Sequence, residues 1–189
     1  MIFLDAETFI QEAIQSIFSQ TYGEWELLLV DDGSTDRSTV IAKRFAQQHS
    51  GRVRYLEHDQ HQNLGMSASR NLGIRHARGA YIAFLDADDV WLRNKLRVQV
   101  ALIEAHPEAG MLYGPTQYWY SWTNIPQDRN RDFQGDIGVP PNTLVEPPEL
   151  LRLALRNNGA TMPGICSLLI RRETIDAAGA FETSFRGPY

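Results

Sequence analysis

Three carboxylates, Asp86, Asp88 and Asp89, directly follow the apolar run Ala80-Tyr81-Ile82-Ala83-Phe84-Leu85 and are the residues best suited to chemistry. Hard oxygen donors in that number suit Mg2+ or Mn2+, ions commonly shared with a bound phosphate. In an extended backbone residues i and i+2 point to one side, so Asp86 and Asp88 are expected to face together, with Ala87 and Asp89 turned away. A plainer role competes. Acidic residues at strand ends form turns, and Asp89 before Val90-Trp91-Leu92 could cap a helix. A second run, Glu26-Leu27-Leu28-Leu29-Val30, ends in the same manner, in Asp31-Asp32 and then Gly33-Ser34-Thr35-Asp36.

These carboxylates need a scaffold. Apolar runs too short for a helix read as strands buried on both faces, the kind found in parallel sheets, and ligands of such sheets sit beyond the carboxyl ends of the strands. Phe9, Ile10, Ala13, Ile14, Ile17 and Phe18 recur at helical spacing, with Asp5 as the expected N-cap. Ser34, Thr35 and Asp36 are suited to cap a helix carrying Val40, Ile41, Ala42 and Phe45, and Val53-Arg54-Tyr55-Leu56 reads as a third strand. A helix through Ala68, Leu72, Ile74 and Ala77, closed by Gly79, leads into the run at 80–85. Strand and helix alternating at this spacing predict an α/β fold, a mostly parallel sheet with crossover helices. A helix from about Trp91 to His106 follows. Met111-Leu112-Tyr113 then opens a strand that Tyr118-Trp119-Tyr120-Ser121-Trp122 extends or lies beside. Residues 123–148 read as a long loop, Glu149 to Arg156 as a short helix and Cys166 to Ile170 as a last strand.

Composition narrows the function. A chain of 189 residues with 43% hydrophobic and 22% charged residues fits one globular domain with a real core. Its net charge of -5, without any cluster of lysine or arginine, argues against nucleic acid as a partner. The single cysteine, Cys166, forbids an internal disulfide and a cysteine-rich zinc site, and reads as a buried core residue in a reducing compartment. No run is long enough to span a membrane. His58 and His61 flank Asp59 in what reads as a solvated turn, with no partners to complete a zinc site.

Taken in order, four motifs resemble the nucleotide-sugar glycosyltransferases of family 2. They are Ser16-Ile17-Phe18-Ser19-Gln20-Thr21-Tyr22, Val30-Asp31-Asp32-Gly33-Ser34-Thr35-Asp36, Ser69-Arg70-Asn71-Leu72-Gly73 and Phe84-Leu85-Asp86-Ala87-Asp88-Asp89. The resemblance extends over essentially the whole chain and implies a GT-A fold, a Rossmann-like nucleotide-binding core, as one incomplete domain. Residues 1–107 would form the nucleotide-sugar-binding part and 108–189 the start of the acceptor-binding part. It further implies that Asp32 accepts the uracil N–H of a UDP-sugar, that Arg70 packs on or bonds to the base, that Asp86 faces ribose and diphosphate, and that Asp88 ligates Mn2+ or Mg2+. The implied acceptor is a saccharide or a lipid-linked saccharide, and the implied location is the cytoplasm, with the full-length protein peripheral to the inner face of the membrane. Each residue also has a plainer role: Asp31 and Asp32 as caps, Arg70 as an exposed helix arginine, the aromatics at 118–122 as core.

The chain departs from the family in two places. Members begin with an apolar strand and a Pro-x-Tyr-Asn turn, and this chain is expected to start after that turn, so that the sheet loses an inner strand and its unpaired edge favours a homo-oligomer. The family's general base follows a Gly-x-Tyr such as Gly187-Pro188-Tyr189, so no catalytic residue is expected within the chain. That gap makes a non-catalytic nucleotide-sugar-binding module the alternative to an inverting, metal-dependent transferase. A phosphoacceptor receiver domain, suggested by Leu28-Leu29-Val30-Asp31-Asp32, is disfavoured because no lysine occurs after Lys95.

Overall fold

Each short apolar run in the first 85 residues becomes a strand and each stretch of helical spacing a helix in the computed structural model, which describes residues 1–156 and 162–184. In chain order the elements are β1 (Ile2–Phe3), α1 (Ile10–Phe18), β2 (Leu27–Asp31), α2 (Ser38–Gln48), β3 (Val53–Glu57), α3 (Met66–His76), β4 (Tyr81–Ala83), α4 (Lys95–Ala105), β5 (Met111–Leu112), β6 (Gln117–Tyr118), β7 (Phe133–Gln134), α5 (Glu149–Arg156), β8 (Leu169–Arg171) and α6 (Arg172–Ala178). The chain divides into two compact units, one formed by Met1–Met111 with the segment from Leu169 onward, the other by Leu112–Leu168.

In the first unit β1, β2 and β3 form a parallel sheet in that order. All five residues of β2 are buried, as a strand covered on both faces requires. Helix α1 turns Ile10, Ala13, Ile14 and Ile17 inward, the i, i+3, i+4, i+7 stripe of an amphipathic helix. Strand β4 pairs antiparallel with β8, Tyr81 opposite Arg171 and Ala83 opposite Leu169.

The inner position expected to be empty is filled in part, by the two residues of β1. Ile2 pairs with Val30 and Phe3 with Asp31, and Ile2 bridges to Asp86 on its other side. Two apolar residues suffice because the ladder does the holding: Val30 N–H donates to Met1 O, and Asp32 N–H to Phe3 O. The expected gap shrinks to a largely apolar cavity of 410 Å³ between Leu27 and Leu28 of β2 and Tyr81 and Ile82 of β4.

Three boundaries also move. Asp5 is not a helix cap. Its backbone is left-handed, with φ 47°, and its carboxylate accepts the N–H groups of Thr35 and Asp36. Helix α4 begins at Lys95 and not at Trp91, because Gln20 of the segment after α1 accepts the Leu96 N–H and donates to Leu92 O, while Trp91 N–H donates to Ser16 Oγ. Side chains from α1 and the segment after it thus hold the residues after Asp89 as a loop. Strand β4 stops at Ala83, three residues before the acids.

The second unit contains the hairpin β6–β7, with Gln117 opposite Gln134 and Tyr118 opposite Phe133. The loop read at 123–148 therefore carries a strand, and it is pinned locally. Asp132 accepts the N–H groups of Tyr120 and Ser121 and the Ser121 hydroxyl. Tyr118, Trp119 and Trp122 are each about half exposed, which overturns their reading as core. Cys166 is likewise only partly buried. Among the described residues no helix is long and apolar enough to cross a membrane.

Candidate functional site

Two acidic loops, at the carboxyl ends of β2 and β4, flank β1 in the first unit. In the first, Asp31 and Asp32 have different duties although both are buried. Asp31 turns inward: it accepts the Ser34 N–H at 2.9 Å, the Tyr55 hydroxyl at 2.9 Å and the Thr39 hydroxyl. A buried carboxylate with three donors is a structural staple. Asp32 points to the segment before α3 and accepts the Leu64 N–H at 2.9 Å and the Gly65 N–H at 3.1 Å. Between them Gly33 has φ 87°, and a Cβ there would lie 2.9 Å from Asn63 N. Only glycine lets the two backbones come so close.

The turn with His58, Asp59 and His61 was read as solvated; Asp59 and Gln60 are exposed, but both histidines are engaged. His58 is 9% exposed; its Nε2 lies 2.8 Å from the fully buried Ser69 Oγ and 3.6 Å from Asp32. His61 Nδ1 sits 2.8 Å from Glu57 Oε2, and its Nε2 lies 2.8 Å from Ser34 O. Hydrogen bonds to Ser34 and Glu57 raise the His61 pKa, while those from Tyr55 and His61 hold Glu57 below the usual carboxylate range against a smaller opposing effect of burial. Two histidines near an aspartate gave no pattern that spacing rules read.

Helix α3 connects the first loop to the second. From it Arg70 reaches across and donates through Nη2 to both oxygens of Asp86, at 3.0 and 3.1 Å. Its guanidinium also lies over the Phe181 ring, 5.6 Å from the centroid, while its buried Nε has no hydrogen-bond partner among the described residues. Asn71, the next residue, clamps Phe181 by accepting its N–H and donating to its carbonyl. Residues 181–184 are thereby brought to α3.

The second loop differs from its expected geometry. Asp86 to Asp89 is a turn closed by Asp89 N–H donating to Asp86 O, so the alternation of an extended strand does not apply. Asp86 and Asp89 bring carboxylate oxygens within 4.8 Å of each other. Asp88 is exposed and makes no hydrogen bond or ion pair among the described residues. Asp32, Arg70 and Asp86 are thus tied into the two loops while Asp88 is left to solvent. Gly187-Pro188-Tyr189 lies outside the described residues.

With this geometry established, comparison with known proteins gives one direction. The family model described as "Glycosyl transferase family 2" matches residues 1–178. The UDP-Glc:alpha-D-GlcNAc-diphosphoundecaprenol beta-1,3-glucosyltransferase WfgD of Escherichia coli is 36% identical over 99 residues, 52% of this chain and 37% of that protein. Among solved structures, S. aureus TarS 1-349 in complex with UDP has a TM-score of 0.54 at 25% identity, covering 59% of this chain and 32% of that one. The mannosyltransferase PcManGT from Pyrobaculum calidifontis, solved with GDP-Man and Mn2+, has a TM-score of 0.66 at 20% identity, covering 97% of this chain and 46% of that one, and shares the fold. The chain spans less than half the length of each of these three proteins.

Proposed function

Because the chain belongs to family 2 of the glycosyl transferases, we propose that its first unit binds a UDP-sugar together with Mn2+ or Mg2+ and serves an inverting transfer to a saccharide or lipid-linked saccharide acceptor. The observation that carries the reading is the pair of acidic loops at the carboxyl ends of β2 and β4, with an exposed carboxylate at Asp88 that has no partner among the described residues. Ligands of parallel α/β sheets bind beyond those strand ends. TarS with UDP and WfgD with its UDP-Glc donor support the choice of nucleotide, and the diphosphoundecaprenol in the name of WfgD supports a lipid-linked acceptor.

The residues divide the work. Asp32, held by two backbone N–H groups, presents a fixed acceptor to a base N–H. Arg70 braces Asp86 toward ribose and diphosphate. Asp88, with Asp86 and Asp89 beside it in the same turn, supplies the hard oxygen donors that suit the divalent ion. When bound, such an ion neutralises the charge that grows on a departing diphosphate. Inversion follows from a single displacement, in which the acceptor hydroxyl must lose its proton to a base that none of these five residues provides.

The test is calorimetric titration with UDP, GDP, CDP and dTDP, each with and without Mn2+, on the wild type and on Asp88→Ala. UDP is expected to bind best, with Mn2+ strengthening it by at least about tenfold in the wild type and not in Asp88→Ala. Equal strengthening in both proteins would refute the assignment of Asp88.

A further inference from the structure

His61 has acceptors on both sides. Ser34 O, 2.8 Å from Nε2, is a carbonyl, and Glu57 Oε2, 2.8 Å from Nδ1, belongs to a carboxylate held in its ionised form. A neutral imidazole has one N–H and one lone pair, so it can satisfy only one of the two. The imidazolium donates to both.

What this ring joins gives the geometry its consequence. Ser34 follows Asp32 and Gly33 in the first acidic loop, and His61 belongs to the segment whose Leu64 and Gly65 N–H groups hold the Asp32 carboxylate. Gly33 packs directly on His61, Gln62 and Asn63 backbone atoms midway along the contact. The two loops are therefore closed at one end by Asp32 and at the other by His61. The segment is not held by local preference: Gln60 and His61 both have positive φ, 57° and 56°, a conformation costly for side-chain-bearing residues.

We propose that His61 is a positioning residue which, as an imidazolium, clasps segment 58–65 to the loop after β2 and so fixes Asp32 for the nucleobase. The inference rests on the reading of Asp32 as a nucleotide contact. The charges facing the ring are consistent with a cation. Glu57 of β3 is ion-paired to it, Asp31 of β2 attracts it, and Tyr55 of β3 shares the Glu57 oxygen at 2.7 Å. Lys43 of α2 brings a second cation to Glu57, at 3.7 Å. Because the partners raise the pKa of His61, the clasp is complete below the ordinary histidine value of 6.5 and is lost as pH rises through the raised folded value.

Two measurements test it. In 15N-histidine-labelled protein, ring-nitrogen shifts are expected to show His61 doubly protonated with a midpoint above 6.5, and a midpoint at or below 6.5 overturns the clasp. Titration of the best-binding nucleotide with Mn2+ into wild type and His61→Gln from pH 6 to 9 gives an affinity ratio in which the ligand's own ionisations cancel. That ratio is expected to be about fivefold at pH 6 and to fall to one above the His61 midpoint. A ratio of one at every pH, or one independent of pH, overturns the positioning role. If none of the four nucleotides binds the wild type, the nucleotide reading of the site fails, while the ring titration still decides the clasp.

Discussion

Among the described residues the two units bury their apolar side chains very differently. Leu168 is the one buried hydrophobic residue within Leu112–Leu168, where Tyr118, Trp119, Trp122, Phe133, Leu151 and Leu155 are all exposed. The first unit instead centres on Ile10, Ile14, Leu29 and Ile103, all fully buried. Order in the second unit comes from side chains bonding nearby backbone, as Asp132 does at Tyr120 and Ser121, and from the Tyr118–Phe133 stack at 4.6 Å. A core that excludes water fixes loop ends tightly, and the first unit puts its two acidic loops on such a core. Local hydrogen bonds hold only their own neighbourhood.

The largest effect should fall in that core. Leu29→Ala is expected to cost about 2–5 kcal/mol in urea unfolding, since β2 is covered on both faces and cannot collapse around the hole. A loss below about 1 kcal/mol would mean that the core is looser than its burial implies. Next comes Gly33→Ala, which meets both a positive φ and the Asn63 backbone. A loss of about 1–3 kcal/mol is expected together with weaker nucleotide binding, because the added methyl separates the loops that hold Asp32. Preserved binding at reduced stability would separate the two effects. In the second unit, Phe133→Ala removes the ring stacked on Tyr118 and is expected to cost about 0.5–1.5 kcal/mol, read as a small fall in the midpoint of thermal unfolding. Smallest of all, Leu151→Ser on the exposed face of α5 should stay within about 0.5 kcal/mol of wild type. A large change at Leu151 would show that this face is covered in solution.

Much of the first unit was legible. Short apolar runs gave β2, β3 and β4, and helical spacing gave α1 to α4, because a parallel sheet layered with helices imposes both patterns on sequence. Strand β1 escaped notice because two residues carry no periodicity; pairing with Val30, Asp31 and Asp86 makes it a strand. Helix α6 escaped for a similar reason, being short with one buried residue, Ile175. The exposed aromatics at 118–122 were misplaced because alternating rings read as core wherever a core exists to receive them.

At the site, the sequence by itself determined which groups are present and at which strand ends they stand: Asp32 after β2, Asp86, Asp88 and Asp89 after β4, Arg70 on the helix between. Their residue types and the strand-then-acid pattern are local properties, and a single chain displays them. Only the tertiary structure decided which groups meet. It turned the chain at Asp86 and brought Asp89 beside it, sent Arg70 onto Asp86, and placed His61 between Ser34 and Glu57, 27 and 4 residues away. Such pairings depend on the sheet order and on two loops closing over a glycine. Arg70 with Asp86 and His61 with Ser34 join segments remote in sequence, which no spacing within one segment encodes.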